Sequence, residues 1–278
     1  MRKLGLIAGG GELPTTLARH CRAAGRPLFV VRLTGFAPAE LADFDGADLG
    51  MLNFGAGIDA LRGAGCEAVC FAGKVDRPHF QSRGAEPGDG VPISVAQAAS
   101  GGDGGLLTVV TREFERASFV IEGPDEVMRD LLLPQGSLGR HSPGAAQWAD
   151  IHRALEAARV IGALDAGQGA VCCDGLILAL EAQEGTDAML RRVENLPPAI
   201  RGSTDEPRGA LAKACKPTQD ARIDLPTLGP STIRQAARAG LAGIAGEAGR
   251  VLIVDRAAMV TLADRLGLFV EGVASARA

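Results

Sequence analysis

Short apolar runs alternate with segments of helical periodicity in the N-terminal part of the chain, and this alternation restricts the fold more than any other sequence feature. The segment Thr15–Ala24 has the periodicity of a helix that stops at Gly25. Buried strands are predicted at Leu4–Ala8, Pro27–Leu33, Ala47–Asn53 and Glu67–Ala72. Because strands that alternate with helices build βαβ units, we expect a parallel, Rossmann-like sheet.

A cluster of turn-forming residues divides the chain near residue 134. Proline, glycine and serine are frequent from Pro134 to Gly144, which is typical of a linker between domains. Beyond it, two apolar runs flank Asp174-Gly175, and this arrangement indicates a β-hairpin over 169–180. The fold class predicted for the 278 residues is therefore α/β in two domains. The Rossmann-like domain spans 1–134, the linker 135–147, and a mixed α/β domain 148–278.

Composition and charge exclude several classes of function. The net charge of −4 and the 4% of aromatic residues argue against a nucleic-acid binder. The six cysteines form no CxxC pair and the four histidines are scattered, so a zinc site is not expected. Cys66, Cys70, Cys172 and Cys173 lie inside apolar runs, and we interpret them as buried side chains of a protein in a reducing compartment. With no signal peptide and no run near ~20 apolar residues, we expect a cytoplasmic protein.

Two glycine-rich loops precede predicted helices. Gly9, Gly10 and Gly11 follow a strand and open a helix, where free N–H groups and the helix dipole suit an anion. The motif is not GxGxxG, since Pro14 takes the third glycine position, and a tight strand-to-helix turn explains it equally well. The second loop spans 101–105. For Asp103 in that loop, a helix N-cap is favoured over a contact to phosphate.

Carboxylates are concentrated in two segments of the C-terminal half. The predicted hairpin is followed directly by a segment that contains Glu181, Glu184 and Asp187. The later segment 216–230 is polar and bounded by prolines, and it contains Lys216, Gln219, Asp220, Arg222 and Asp224. Hard oxygen ligands of this kind suit Mg²⁺, and the two cations suit phosphate oxygens. Exposed loops with ordinary charges are the alternative interpretation.

Asp224 stands out within the second segment. It lies between the apolar residues Ile223 and Leu225, and Pro226 restrains the backbone just after it. A carboxylate with such neighbours is either well paired or close to a metal, because burying it alone is costly. It would then bind a metal or accept a proton from water; a helix-capping or ion-pairing aspartate is the alternative.

Several of these segments resemble the LpxI family, whose members are UDP-2,3-diacylglucosamine pyrophosphatases of lipid A synthesis. The resemblance covers nearly the whole chain and is carried by Gly9–Pro14, Gly73–Val75, Gly102-Asp103, Glu181–Met189, Lys216–Asp220 and Asp224–Pro226. It implies a cytoplasmic homodimer of Gram-negative bacteria that contacts the inner-membrane surface peripherally. It also implies a site between two domains, Mg²⁺ or Mn²⁺ as the metal, and a nucleotide-linked lipid as the substrate. Water would attack the lipid-side phosphorus, giving UMP and 2,3-diacylglucosamine 1-phosphate.

The residues and the resemblance together assign roles to individual positions. Catalytic roles are predicted for Asp224, Asp220, Lys216 and Arg222. Substrate binding is predicted for Gly9, Gly10, Gly11, Lys74, Asp103, Thr186 and Gln219. Metal binding is predicted for Glu181, Glu184, Asp187 and Asp224. His79 departs from the pattern, because an acidic residue is expected there.

Two other classes of function remain open on the residues alone. A non-catalytic nucleotide-binding or sensor protein would account for the glycine loop. A Rossmann-type oxidoreductase is weakened by the broken glycine fingerprint. The carboxylate-rich segments favour the enzyme, because an anion binder gains nothing from further negative charge unless a metal intervenes. The small molecule that co-purifies with the protein would distinguish the three.

Overall fold

The computed structural model describes residues 1–51, 53–75, 103–217 and 222–274, with the side chains of 103–106 left aside. The chain divides into two compact units. Unit 1 comprises Met1–Arg129 and Asp220–Asp224, and unit 2 comprises Asp130–Gln219 and Leu225–Ala278. Each unit is built around its own sheet.

Unit 1 contains a five-stranded parallel sheet with the strand order β3-β2-β1-β4-β5. Its strands are β1 (Leu4–Ala8), β2 (Leu28–Leu33), β3 (Gly46–Leu49), β4 (Ala68–Ala72) and β5 (Val120–Ile121). The helices described in this unit are α1 (Leu13–Ala23), α2 (Phe54–Gly63), α3 (Asp103–Arg116) and α4 (Pro124–Val127), with a 3₁₀ turn at Ala39–Asp43. The prediction of a Rossmann-like parallel sheet is therefore confirmed.

Close packing of helices on the sheet forms the core of unit 1. A Cβ on Gly5 of β1 would lie 2.3 Å from Leu61 Cδ2, so glycine in this central strand allows α2 to pack closely. The rings of Phe71 and Phe114 meet edge-on at 5.2 Å and join α3 to β4. The apolar central strands are buried for this reason, as parallel strands usually are.

Unit 2 contains a six-stranded mixed sheet with the order β6-β13-β11-β9-β7-β8, in which β9, β11 and β13 are parallel. The strands are β6 (Gly136–Leu138), β7 (Gly169–Cys173), β8 (Leu176–Leu180), β9 (Ala210–Lys213), β11 (Gly243–Glu247) and β13 (Phe269–Val273). A separate pair joins β10 (Thr227–Leu228) to β12 (Leu252–Ile253). The mixed α/β domain predicted for the C-terminal half is confirmed.

Helices cover both faces of this sheet. They are α5 (Ala145–Ala163), α6 (Gly185–Glu194), α7 (Pro198–Arg201), α8 (Pro230–Arg238) and α9 (Arg256–Leu266). On one face α5 buries Ile151, Ala154 and Ala158 against Ala170 and Ala212. On the other face α6, α8 and α9 form a larger apolar cluster that includes Met189, Ile233 and Met259.

The segment 135–147 is not a linker, which corrects the sequence-based prediction. Gly136–Leu138 forms β6 and pairs antiparallel with β13, while α5 already begins at Ala145. Gly136 and Gly139 both have positive φ, so the turn formers of this segment serve the ends of a very short strand. A strand of three residues is too short to show a period-two pattern.

Within the described ranges, no helix is long and apolar enough to cross a membrane.

Candidate functional site

The glycine loop of unit 1 lies where the strand order of the sheet reverses. The chain leaves β1 toward β2 and β3 on one side, and β4 and β5 lie on the other. The loops after β1 and β4 therefore meet at the carboxyl edge, the usual ligand site of open α/β sheets. They bring Gly9, Gly10 and Gly11 together with Lys74, whose side chain is exposed.

Backbone contacts between these two loops account for most of the glycines. Gly10 N donates to Lys74 O at 2.7 Å, and Lys74 N donates to Gly10 O at 2.8 Å. Gly9 N donates to Ala72 O at 2.8 Å, and a Cβ on Gly9 would lie 2.7 Å from Lys74 O. The N–H groups of Gly9 and Gly10 are thus engaged within the protein, contrary to the expectation that they face an anion.

Gly11 has a different environment. Its φ is +91°, and a Cβ there would have no heavy atom within 4 Å. It lies two residues before Leu13, where α1 begins, and Pro14 in the first turn of that helix has no N–H. At this loop, Gly11 and the Lys74 side chain remain the predicted contacts for a ligand.

Arg222, Ile223 and Asp224 belong to unit 1, although the flanking chain belongs to unit 2. Arg222 Nη1 lies 3.0 Å from Glu115 Oε1 in a half-exposed ion pair. Ile223 packs against the apolar cluster of unit 1. Asp224 is partly buried and is the last residue before the chain enters unit 2. The next helix along the described chain begins at Pro230, with Gly229 rather than Asp224 at its N-cap.

Four sequence-based predictions fall wholly or partly outside the described residues. Asp220, Gln219 and His79 lie outside them. Asp103 is the first residue of α3, but its side chain is not described.

Charged side chains are buried near the carboxyl edge of the parallel strands of unit 2. Lys213 ends β9, Glu247 ends β11 and Glu271 lies in β13, and each is 4% exposed. Glu247 accepts hydrogen bonds from Arg159 Nε at 2.9 Å and from the backbone N of Cys215 at 3.0 Å. Ser137 Oγ donates to Glu271. Glu247 and Glu271 thus have structural partners on this edge.

Lys213 takes part in a chain of buried polar groups. Its Nζ donates to Thr186 Oγ1 at 2.9 Å, and Thr186 Oγ1 donates to Glu181 Oε1 at 2.9 Å. Thr186 lies in the first turn of α6 and Glu181 directly follows β8. Both residues are at least nine-tenths buried. We refer to Glu181, Thr186 and Lys213 as the lysine relay.

Glycines surround the lysine relay on the sheet. Lys213 is paired with Gly169 on β7 and with Gly246 on β11, and the same row continues to Gly272 and Gly136. A Cβ on Gly169 would lie 2.6 Å from Glu181 Oε2. Because Gly169 has no side chain, there is room for the Glu181 carboxylate next to this strand position, which pairs with Lys213.

The structure does not gather the three metal ligands predicted in unit 2. Glu181 is buried in the lysine relay, whereas Glu184 is exposed and lies 2.5 Å from Arg192 in an ion pair. Asp187 is partly buried in the first turn of α6. Across the described residues, no group of three or more His, Cys, Asp and Glu side chains is placed to hold a metal ion. These carboxylates therefore do not form a cage made by protein groups alone.

Lys216, predicted to be catalytic, makes a structural ion pair. Its Nζ lies 2.8 Å from Asp165 Oδ1, and the residue is 7% exposed. Asp165 follows α5 and has a positive φ of 54°. The ammonium of Lys216 thus ties the segment after β9 to the end of α5.

Comparison with known proteins identifies the family. The model of the LpxI N-terminal domain matches residues 3–131, and that of the LpxI C-terminal domain matches residues 134–271. The chain belongs to the LpxI family. It is 58% identical over 274 residues to the UDP-2,3-diacylglucosamine pyrophosphatase LpxI of Caulobacter vibrioides, covering 98% of each chain. A solved N5-carboxyaminoimidazole ribonucleotide synthetase from Thermotoga maritima is 12% identical, with a TM-score of 0.24 over 66% of this chain and 42% of its own. That likeness is too low to carry an argument.

Lys213 and Glu247 of this LpxI family member were not predicted from the sequence. Each closes a short run of small and apolar residues, Ala210–Ala212 and Gly243–Gly246 respectively. A charge at the end of such a run is the available signal, because it marks the carboxyl edge of a buried strand. Because both segments contain few branched side chains, the sequence did not predict strands there. It therefore did not indicate that their terminal charges lie at the edge of a sheet.

A cavity of about 370 Å³ lies in unit 1, away from the glycine loop. Its lining includes Arg2, Arg26 and Glu122, and the last two form an ion pair at 2.7 Å. Arg2 precedes β1 and Arg26 precedes β2, so the cavity lies at the amino edge of the sheet. Ligands of parallel sheets bind at the opposite edge, and the cavity is not a candidate site.

Proposed function

We propose that this protein hydrolyses the pyrophosphate bond of UDP-2,3-diacylglucosamine to UMP and 2,3-diacylglucosamine 1-phosphate, a step of lipid A synthesis. The observation that supports this most strongly is the 58% identity to the Caulobacter vibrioides pyrophosphatase over 98% of both chains. Each unit, taken by itself, has a cation at the carboxyl edge of its sheet, Lys74 in unit 1 and Lys213 in unit 2, and cations of this kind suit phosphate groups.

In the proposed reaction, water attacks the lipid-side phosphorus. A new P–O bond forms there, the bridging oxygen departs with UMP, and the proton of the water passes to a carboxylate. We assign that role to Asp224, because it is a partly buried carboxylate that lies between the apolar residues Ile223 and Leu225. General base catalysis of this kind contributes about 10²–10⁴-fold in rate.

We propose Mg²⁺ as the metal, with Mn²⁺ as a substitute. Mg²⁺ in phosphate chemistry usually binds one or two protein carboxylates and otherwise substrate oxygens and water. The separated carboxylates fit that mode better than a protein cage. Such an ion neutralises phosphate charge and orients water. Loss of turnover in excess EDTA, restored by Mg²⁺, tests this assignment.

Isotope labelling tests the proposed reaction directly. The purified protein is incubated with UDP-2,3-diacylglucosamine in detergent micelles and H₂¹⁸O, and both products are analysed by mass spectrometry. We expect ¹⁸O in the sugar 1-phosphate and none in UMP. Label in UMP would reverse the site of attack, and absence of cleavage would overturn the function.

We also propose peripheral contact with the inner membrane and a homodimer. The acyl chains of the substrate must be drawn from a bilayer, and a protein can reach them by reversible surface contact. Salt or alkaline carbonate should release the protein from membranes, and resistance to both would contradict this. The dimer is assigned to the outer edge of β8, whose exposed residues include Leu176 and Leu180.

A further inference from the structure

We infer that Gly123 and Glu115 are positioning residues, which hold the segment 222–224 on unit 1 so that the Asp224 carboxylate stays in place for proton transfer. The inference rests on the proposed function, because that function assigns the general base to Asp224. It gives roles in the reaction to two residues of unit 1 that the sequence did not indicate.

An ion pair holds the side chain of Arg222 against α3. Arg222 Nη1 lies 3.0 Å from Oε1 of Glu115, which is the residue before the end of α3 at Arg116. The two side chains are 46% and 41% exposed, and ion pairs with such exposure contribute little to the stability of a fold. The pair does restrict where the backbone of Arg222 can lie. Glu115 therefore fits a role in placing this segment better than a role in stabilising unit 1.

The backbone of Arg222 also passes very close to Gly123, the residue that precedes α4. A Cβ on Gly123 would lie 3.2 Å from Arg222 O and 3.3 Å from Arg222 Cα, which is tighter than ordinary van der Waals contact. The φ and ψ of Gly123, −69° and 156°, are open to any residue, and its N–H donates to Glu126 Oε2 at 2.8 Å. Glycine is therefore favoured here by the neighbouring chain and not by its own backbone conformation.

The side chain of Ile223 forms the third anchor of the segment. It packs against the apolar cluster of unit 1, which includes Phe114 of α3 and Ile121 of β5. The three anchors act on two adjacent residues, and Asp224 follows them directly. Together they restrict where the Cα of Asp224 can lie.

The placement of a general base matters because proton transfer requires hydrogen-bond distance to the attacking water. A misplacement of about 1 Å, even one caused by a change far from the chemistry, can cost about 10²-fold in rate. Contacts that fix the backbone beside the base therefore act on kcat through Asp224. We expect KM to change little when they are removed, because the proton is transferred only after the substrate is bound.

Gly123→Ala tests the close approach of the two backbones. The added Cβ should push the backbone of Arg222 away, and we expect kcat to fall about tenfold to a hundredfold with KM little changed. The Cβ would also lie 2.5 Å from Asp125 Oδ1, but that oxygen ends a rotatable side chain that can turn aside. Gly63→Ala is the matched control, because a Cβ at this end of α2 would have no heavy atom within 4 Å. Unchanged kcat in a folded Gly123→Ala protein would contradict the role of Gly123.

Glu115→Gln removes the ion pair while keeping the size of the side chain. We expect a severalfold lower kcat at an unchanged melting temperature, and Glu115→Asp, which keeps the charge, should recover part of the loss. Asp59→Asn breaks an exposed pair with Arg62 on α2 and should leave kcat unchanged. Normal kcat in Glu115→Gln would remove Glu115 from the inference. If Gly123→Ala does not fold, Glu115→Gln carries the test.

A double-mutant cycle separates positioning from a general effect on the fold. If Gly123 acts through Asp224, Gly123→Ala should lower the kcat of the wild-type protein but have no further effect on the residual turnover of Asp224→Ala. An equal reduction in both backgrounds would overturn the positioning role.

Amide hydrogen exchange at residues 222–224 measures the anchoring without turnover. We expect faster exchange in Gly123→Ala and Glu115→Gln and unchanged exchange in Gly63→Ala and Asp59→Asn, because only the first two release the segment. If the two variants show this faster exchange but the wild-type protein cleaves no UDP-2,3-diacylglucosamine, the proposed function alone is overturned. If the wild-type protein cleaves it and both variants keep normal kcat and exchange, the inference alone is overturned.

Discussion

At the scale of the residue, Asp224 carries the proposed proton transfer. We expect Asp224→Ala to remain folded, to bind substrate and to lose about 10²–10⁴-fold in turnover, because a general base is removed. Turnover and thermal unfolding measured on the same sample test this. Asp205→Ala, an exposed aspartate, is the matched control. Near-normal turnover of a folded Asp224→Ala protein would contradict the assignment.

Asp150 has a structural role that can be tested separately. It is 2% exposed and accepts hydrogen bonds from Gly175 N at 2.7 Å, Asp174 N at 3.1 Å and Cys172 Sγ at 3.3 Å. Asp150→Ala would leave these buried donors without their acceptor and should lower the free energy of unfolding by about 2–4 kcal/mol. Chemical denaturation measures this, and a change as small as that of Asp205→Ala would contradict it.

At the scale of the element, the sequence predicted best where local chemistry determines the backbone. Asp174 and Gly175 both have positive φ, at 50° and 78°, as the two-residue hairpin turn between β7 and β8 requires. Strand β1 also coincides with its apolar run, Leu4–Ala8. These elements carry their own signals in a few adjacent residues.

The central strands of unit 2 were missed because their stability comes from their neighbours. Ala210–Lys213 and Gly243–Glu247 contain few of the branched residues that favour strands. They are strands because other strands pair on both sides and helices cover both faces. The lysine relay was missed for the same reason, since it joins residues of three different elements.

Two buried thiols of β7 make the free energy of unfolding depend on pH in the alkaline range. Burial raises the pKa of the Cys172 thiol from 9.0 to about 12 and that of Cys173 to about 11. The folded protein then keeps protons that the unfolded chain releases, so this contribution to stability is present below pH 9 and is lost as pH rises through 11–12. Between pH 8 and 10.5, the denaturation midpoint of the double variant Cys172→Ala/Cys173→Ala should fall less steeply with pH than that of the wild-type protein. Equal slopes for the two proteins would contradict this.

At the scale of the whole molecule, the edge of β8 determines the expected assembly. Edge strands usually carry charges or other features that prevent pairing, but β8 is Leu-Ile-Leu-Ala-Leu, with Leu176 62% and Leu180 40% exposed. We expect Leu176→Lys/Leu180→Lys to convert a dimer into a monomer, measured by light scattering. Leu266→Lys, on α9, is the control. A dimer that survives the double substitution would place the interface elsewhere.

The division of the molecule into units was predictable only in outline. The change of composition near residue 134 indicated two domains, but the return of residues 220–224 to unit 1 depends on tertiary packing. Ile223 packs into the apolar cluster of unit 1, while Leu228, a few residues later, packs into that of unit 2. A run of alternating polar and apolar residues does not specify which of two cores receives each side chain.

The inclusion of residues 220–224 in unit 1 has a consequence for the evolution and engineering of these proteins. The chain passes between units at 129/130, 219/220 and 224/225, so a gene segment that ends near residue 131 encodes an incomplete N-terminal body. A chimaera that exchanges residues 1–131 with a relative would set a foreign Ile223 against a native core, or the reverse. The two halves should therefore change in concert over generations, and a successful transplant would need to carry 220–224 with it.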